Sequence, residues 1–167
     1  MSNIYLIGYR ATGKTSVSNI LAKKLNMKVI HMDDELINLN GPIELFVRNY
    51  GWNAFRDEES KLLSEISKKK NIIIDCGGGI IERQENIDLI KKNGTAILLK
   101  SDIKVIRKRL IKNDQNRPAL TDNNTIDEVE VVLVQRKKKY ENTADITINT
   151  NGSSIEEIAN NIIDELI

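Results

Sequence analysis

Cysteine is nearly absent from this chain: Cys76 is the only one. A lone thiol cannot form a bridge within the chain, so the fold must be held by a packed core, which 167 residues can supply in a single domain. An excess of charge of either sign is also missing, since 25 Lys and Arg stand against 24 Asp and Glu for a net charge of +1. That balance excludes the molecule-wide field that draws proteins to nucleic acid or anionic membranes, but it allows a local basic cleft around a small anion. No apolar run is long enough to cross a bilayer, and Met1-Ser2-Asn3 leads into the first apolar segment without a secretory signal. Neither nucleic acid nor membrane is therefore an expected partner, and the cytosol is the expected compartment. The chain also has no internal repeat, no low-complexity tract and no Asn-Lys-x-Asp guanine signature, the last of which disfavours a GTPase switch.

What is present is alternation. Apolar strand-like runs recur at Ile4–Ile7, Val29–Met32, Ile72–Asp75, Ala96–Leu99 and Ile146–Ile148, with helical patterns between them. Strands alternating with helices predict an α/β fold with a parallel sheet covered on both faces. Capping boxes at Thr125-Ile126-Asp127-Glu128 and Ser154-Ile155-Glu156-Glu157 mark two helix starts. The basic runs Lys68-Lys69-Lys70 and Lys137-Lys138-Lys139 fall at predicted helix ends and read as solvated faces. Residues 33–70 and 112–124 depart from simple alternation, and insertions at the carboxyl edge of such a sheet build substrate pockets and lids.

The first strand runs directly into Gly8-Tyr9-Arg10-Ala11-Thr12-Gly13-Lys14-Thr15, and Val17, Ile20, Leu21 and Leu25 continue with helical spacing. Strand, glycine-containing loop and helix in that order are the context that a P-loop requires. The glycines let the backbone curl so that successive N–H groups point inward, and the helix adds the positive end of its dipole, making a nest for a phosphate chain. Gly8, Ala11, Thr12, Gly13, Lys14, Thr15 and Ser16 are thus the expected nucleotide-binding residues, with Lys14 on the β- and γ-phosphates and the Thr15 hydroxyl on Mg²⁺.

Three further signals concern the phosphate acceptor. Arg56 and Glu59 lie one helical turn apart, so the carboxylate can hold the guanidinium in place. Gly77-Gly78-Gly79 follows a strand, and three consecutive glycines cost backbone entropy unless a ligand or another backbone comes close. Arg136, with Tyr140 four residues on, lies near the apolar stripe of Val129, Val132 and Leu133, where a buried cation requires an anion.

Together with Asp33 after the second strand, Arg117-Pro118 in the polar segment and Ala144-Asp145 beyond Tyr140, these residues closely resemble the shikimate kinases from residue 4 to about 150. The resemblance implies a five-stranded parallel sheet of the nucleoside-monophosphate-kinase type in one domain. It also implies a substrate-binding subdomain over about 33–60 and a lid over about 112–124. ATP and Mg²⁺ are the implied cofactors, shikimate the implied substrate, and a monomer the implied state. Arg56 and Arg136 would grip the shikimate carboxylate. Asp33 would orient, and could deprotonate, the attacking 3-hydroxyl. The Gly77, Gly78 and Gly79 N–H groups would contact substrate hydroxyls and the phosphoryl group, and Arg117 would stabilise transition-state charge. Lys14, Asp33 and Arg117 are then the catalytic set, while Arg109 is a candidate for packing on adenine.

Two departures stand out. The aspartate usual in the family two residues before Asp33, on the Mg²⁺ side, is His31 here, a poor substitute for a hard oxygen ligand. Asp75, two residues before the glycine triplet where many relatives carry a small residue, sits where a strand-terminal aspartate commonly holds Mg²⁺ or its water. Asp75 with Thr15 is accordingly the expected metal side, and His31 is read as a supporting polar residue. The turn at Asn40-Gly41-Pro42-Ile43 is one residue shorter than the usual pattern. Cys76 and Trp52 read as packing residues. Another small-molecule or nucleotide kinase of the same fold, or a catalytically silent nucleotide-binding relative, are the alternative functions.

Overall fold

The computed structural model describes residues 2–112 and 118–167. Five strands, β1 (Asn3–Ile7), β2 (Lys28–His31), β3 (Ile72–Asp75), β4 (Gly94–Lys100) and β5 (Ile146–Asn149), form one wholly parallel sheet in the order β2-β3-β1-β4-β5. Helices α1 (Lys14–Leu25), α2 (Met32–Asn40), α3 (Ile43–Ile66), α4 (Gln84–Asn93), α5 (Ile103–Lys112), α6 (Val129–Thr143) and α7 (Ile155–Leu166) connect and cover it. This is the α/β architecture read from the alternating pattern.

Successive side chains of a strand point to opposite faces, and both faces here are packed. Tyr5 and Ile7 of β1 join Leu63, Ile66, Ile87, Ile90 and Tyr140 in a core under α3, α4 and α6. Ile4 and Leu6 face the other way, into a core with Val17 and Leu21 of α1 and Ile158 and Ile162 of α7. Every position of β1 is therefore apolar or buried, which is why it reads as a continuous run rather than as an alternating one.

Local boundaries differ from the sequence reading in three places. Met32 begins α2 instead of ending β2, because Asp33, Asp34 and Glu35 favour the positive end of that helix. The capping box expected at Thr125 does not form: Asn124 accepts hydrogen bonds from the N–H groups of Ile126 and Asp127, and Glu128 is drawn inward, so α6 starts at Val129. The Lys137–Lys139 run lies inside α6, where Lys139 bonds to Glu82, and not at its end. The Ser154 capping box is present in both directions. A left-handed Gly51 (φ 83°) breaks α3 into two helical pieces, in keeping with several short helices in this stretch.

All strands being parallel, their carboxyl ends share one edge. From there the chain leaves β1 towards β2 but leaves β4 towards β5, and a crevice opens where the winding reverses.

Candidate active site

The P-loop leaves β1 at that crevice. Gly8 packs so closely against β4 that a Cβ would lie 2.4 Å from the Leu99 carbonyl oxygen, and Gly13 caps α1 in a left-handed conformation (φ 93°). Ala11 is also left-handed (φ 60°), an arrangement that glycine would adopt without strain. The buried Lys14 ammonium donates to the carbonyls of Gly8 (2.8 Å) and Tyr9 (2.9 Å), and so spans the loop. An open pocket lined by Ala11, Gly13, Lys14, Thr15, Ser16, Asp75, Arg109 and Ile155 adjoins it. Thr12 is buried beneath, its hydroxyl bonded to the Tyr9 carbonyl at 2.8 Å. Arg109 reaches back from α5 to the Ala11 carbonyl at 2.9 Å, which ties this half-buried arginine to the loop.

Strand register places β1, β2 and β3 side by side here, with His31 opposite Asp75. The Thr15 hydroxyl donates to Asp75 Oδ2 at 2.7 Å, and His31 Nδ1 lies 2.9 Å from the same oxygen. His31 Nε2 faces Asn19 Oδ1 at 3.1 Å. The hydrogen bond to Asp75 raises the His31 pKa above its ordinary 6.5, against the opposing effect of burial. Hard oxygens from Thr15 and Asp75 beside the phosphate nest fit Mg²⁺ chemically. Among the described residues no group of three or more His, Cys, Asp or Glu could hold a metal by itself. Mg²⁺ commonly takes most of its ligands from phosphates and water, so a sparse set suits it.

Next to the P-loop is a second, narrow cleft lined by Arg10, Asp33, Trp52, Phe55, Arg56, Glu59, Gly77, Gly78, Gly79 and Arg136 among others. The sequence-predicted pair is present: Arg56 donates to Glu59 at 2.7 Å, and Glu59 is 1% exposed. The Arg56 guanidinium also lies over the Trp52 and Phe55 rings at 5.1 and 5.4 Å, so Trp52 both packs the helical cluster and supports the cleft wall. Trp52 further donates to the Ala119 carbonyl at 3.2 Å.

The glycine triplet has a different immediate cause from the one expected. A Cβ at Gly79 would lie 2.2 Å from the Arg56 guanidinium carbon, one at Gly77 2.6 Å from Glu59 Oε2, and one at Gly78 3.5 Å from Arg136 Nη1. Gly77 and Gly79 thus make room first for the charged side chains that form the cleft, whereas a Cβ at Gly78 would meet Arg136 only at ordinary contact distance. Asp33 Oδ1 stands near the same turn, 3.4 Å from a Cβ at Gly77.

Arg136 is buried on α6, as the apolar stripe implied, and its partner is Glu82, at 2.5 Å from Nε. Burial alone would raise the Glu82 pKa, but Arg136 and Lys139 hold it below the ordinary glutamate value. Tyr140 donates to the Gly78 carbonyl at 2.5 Å, and burial pushes its own pKa up to about 12, so it stays a donor. One helix therefore carries both the cation and the clasp of the glycine turn. Asp145, next in the sequence pattern, accepts from the Ala96 N–H at 2.8 Å and is a sheet-edge tie. Cys76 is buried beneath the turn, which raises its thiol pKa well above the ordinary value.

Sequence reasoning missed Arg10, Glu82 and Glu128 as members of the site. Arg10 occupies a variable position of the P-loop, and nothing in its spacing says that this residue lines the acceptor cleft. Glu128 read only as the acid of a helix-start capping box and Glu82 gave no signal, because their partners are distant in sequence. Arg117 lies outside the described residues, and of the lid expected over about 112–124 only Lys112 and residues 118–124 are described.

Two clefts that meet on a P-loop, one lined by oxygens and a lysine, the other by arginines and an aspartate, are what transfer of a phosphoryl group to an anionic acceptor needs. A family model described as shikimate kinase matches residues 10–167. A shikimate kinase of Thermodesulfovibrio yellowstonii is 38% identical over 166 residues, covering 99% of this chain and 95% of that protein. One from Pelotomaculum thermopropionicum is 36% identical, covering 98% and 94%. The solved shikimate kinase of Acinetobacter baumannii in complex with shikimate superposes with a TM-score of 0.93 at 29% identity, covering 99% of this chain and 93% of that one. On the match of the family model and the identity over nearly the whole length, the chain belongs to the shikimate kinase family.

Proposed function

We propose that this protein transfers the γ-phosphoryl group of ATP to the 3-hydroxyl of shikimate, giving shikimate 3-phosphate and ADP. The observation that carries the reading is the wall shared by the two clefts. Arg10, Asp33, Ile43 and Gly78 line both, so an acceptor hydroxyl on one side can meet a phosphate on the other. The family's solved member from Acinetobacter baumannii holds shikimate.

In this reading, Arg56 and Arg136 grip the acceptor carboxylate. Glu59 and Glu82 fix the orientation of the two guanidinium groups, and a planar fork suits a carboxylate. Asp33 orients the 3-hydroxyl and accepts its proton as the oxygen attacks phosphorus. The bridging bond of ATP breaks as the new P–O bond forms, and the charge spread over the phosphoryl oxygens is met by Lys14, the N–H groups of the Gly77–Gly79 turn and Arg117. Arg109 lines the nucleotide side near Ile155 and serves the base. Thr15 and Asp75 would hold Mg²⁺, which when bound neutralises phosphate charge. The supporting helices at about 33–60 act as the acceptor subdomain, residues 112–124 act as the lid, and the protein works as a monomer. No helix among the described residues is long and apolar enough to cross a membrane.

Coupled ADP release tests the assignment. Turnover is expected with shikimate, little with quinate, and none with gluconate or a nucleoside monophosphate. Faster turnover with either of the last two would transfer the assignment to another kinase of this fold, and no turnover with any acceptor would favour a silent nucleotide-binding relative.

A further inference from the structure

Three arginines line the acceptor cleft, and they are not equivalent. Arg56 and Arg136 each have a carboxylate at hydrogen-bond distance, 2.7 and 2.5 Å. Arg10 is 7% exposed, and the one carboxylate within 4 Å of it among the described residues, Glu128, stands at 3.9 Å from Nη2, beyond a hydrogen bond. The Tyr9 ring lies 5.9 Å from its guanidinium carbon, and the cationic Arg136 is close enough to act on it electrostatically.

Glu128 is itself fully buried and divides its two oxygens between two tasks. Oε2 accepts three hydrogen bonds, from the Leu120 and Thr121 N–H groups (2.8 and 2.9 Å) and the Thr121 hydroxyl (3.1 Å). Oε1, on the Arg10 side, accepts none. A largely desolvated cation whose counter-ion stops short of contact is costly, because the charge has lost most of its water without gaining a close anion. Such an arrangement is balanced when a further anion enters.

The position of Arg10 says which anion. Arg56 and Arg136 line only the acceptor cleft, whereas Arg10 lines the acceptor and the nucleotide clefts alike. A group at this shared wall can reach both clefts, and in the proposed reaction the group that crosses it is the phosphoryl. Resting on that reading, we propose that Arg10 binds the phosphoryl group on the acceptor side of the transfer. Glu128 is the positioning residue that holds Arg10 at the shared wall while tying down residues 120–121. The pair thereby separates two anion tasks in one cleft: carboxylate recognition by Arg56 and Arg136, phosphate recognition by Arg10.

Calorimetric titration of shikimate and of shikimate 3-phosphate into the wild type, Arg10→Gln, Glu128→Gln and the double variant tests this. Arg10→Gln is expected to weaken the phosphorylated ligand roughly tenfold or more, the size of a lost charge-assisted contact, while shikimate affinity changes less than about threefold. Glu128→Gln keeps an acceptor for Leu120 and Thr121 but loses the charge beside Arg10, so it should show the same selectivity at a smaller factor. The double variant should be little worse than Arg10→Gln, as expected for residues acting as one unit. Arg10→Lys should restore part of the phosphate preference, and with Glu128→Gln it carries the test if Arg10→Gln fails to fold. Equal loss of both ligands, or lowered thermal stability with an unchanged affinity ratio, would make the pair structural and overturn the proposal. A wild type that turns shikimate over while Arg10→Gln keeps the ratio overturns this proposal alone. A wild type that releases no ADP with shikimate overturns the functional reading and this proposal with it.

Discussion

Ala11 holds the P-loop at φ 60°, where an L side chain costs about 1–2 kcal/mol. Ala11→Gly relieves that strain but adds flexibility to the unfolded chain, worth about 0.5–1 kcal/mol in the opposite direction. The expected net is a gain of up to about 1 kcal/mol in a urea titration; a clear loss would show that the methyl packs favourably enough to offset its conformation. As proposed grips on the acceptor carboxylate, Arg56 and Arg136 would act through charge, so Arg56→Ala or Arg136→Ala should weaken shikimate binding about ten- to a hundredfold and leave ATP affinity nearly unchanged. Parallel loss of both ligands would demote them to structural residues. His31 is the only histidine, and its imidazole resonances are therefore unambiguous. Its folded pKa lies above the ordinary 6.5, so its contribution to stability is fully present below that pH and is lost as pH rises through the folded value. The stability difference between wild type and His31→Gln should shrink with rising pH, and Asp75→Asn should lower the titration midpoint seen by NMR. A midpoint unmoved by Asp75→Asn would mean that the hydrogen bond to Asp75 is not its cause.

At the scale of elements, α6 and the turn after β3 work as one piece. Tyr140 clasps the Gly78 carbonyl, and Arg136 is pinned by Glu82 on the 3-10 turn Ile80–Glu82 that follows the glycines. A helix and a turn locked in this way can present cation and backbone N–H groups at a fixed separation, which favours a preorganised site. The segment entering α6 is held less locally, through Glu128 and the Trp52 contact with Ala119. Arg117 lies just before this stretch, and its proposed task is to meet charge that develops during transfer. Arg117→Ala should then lower kcat far more than it raises KM for either substrate. An effect confined to KM would place Arg117 in ground-state binding. Protease cleavage within residues 112–124 should decrease only when nucleotide and shikimate are both present, as closure over two ligands requires.

For the whole molecule, ligands that bind only the folded state add stability by mass action, about 2.7 kcal/mol at a hundred times Kd. For a domain of this size ADP and shikimate should each raise Tm by roughly 5–10 °C and together by roughly 10–20 °C, whereas gluconate should add nothing to ADP. An equal shift with gluconate would contradict the acceptor assignment. Much of this architecture was legible in sequence because its signals are local. The eight residues of the P-loop lie within a single turn between a strand and a helix, and the apolar runs that make the sheet are continuous because both its faces are buried. Arg56 and Glu59 could be paired by helical spacing alone, since three residues along a helix bring two side chains together. By contrast, Arg136 and Glu82 are 54 residues apart, and no periodicity links Arg10 to Glu128 or His31 to Asp75. The chain by itself determined the sheet, the phosphate nest and which residue types could serve the site. Only the tertiary structure decided which charges face one another, because a parallel sheet gathers the ends of strands that are distant in sequence to a single edge, and burial there makes each unmatched charge costly enough to select its neighbours.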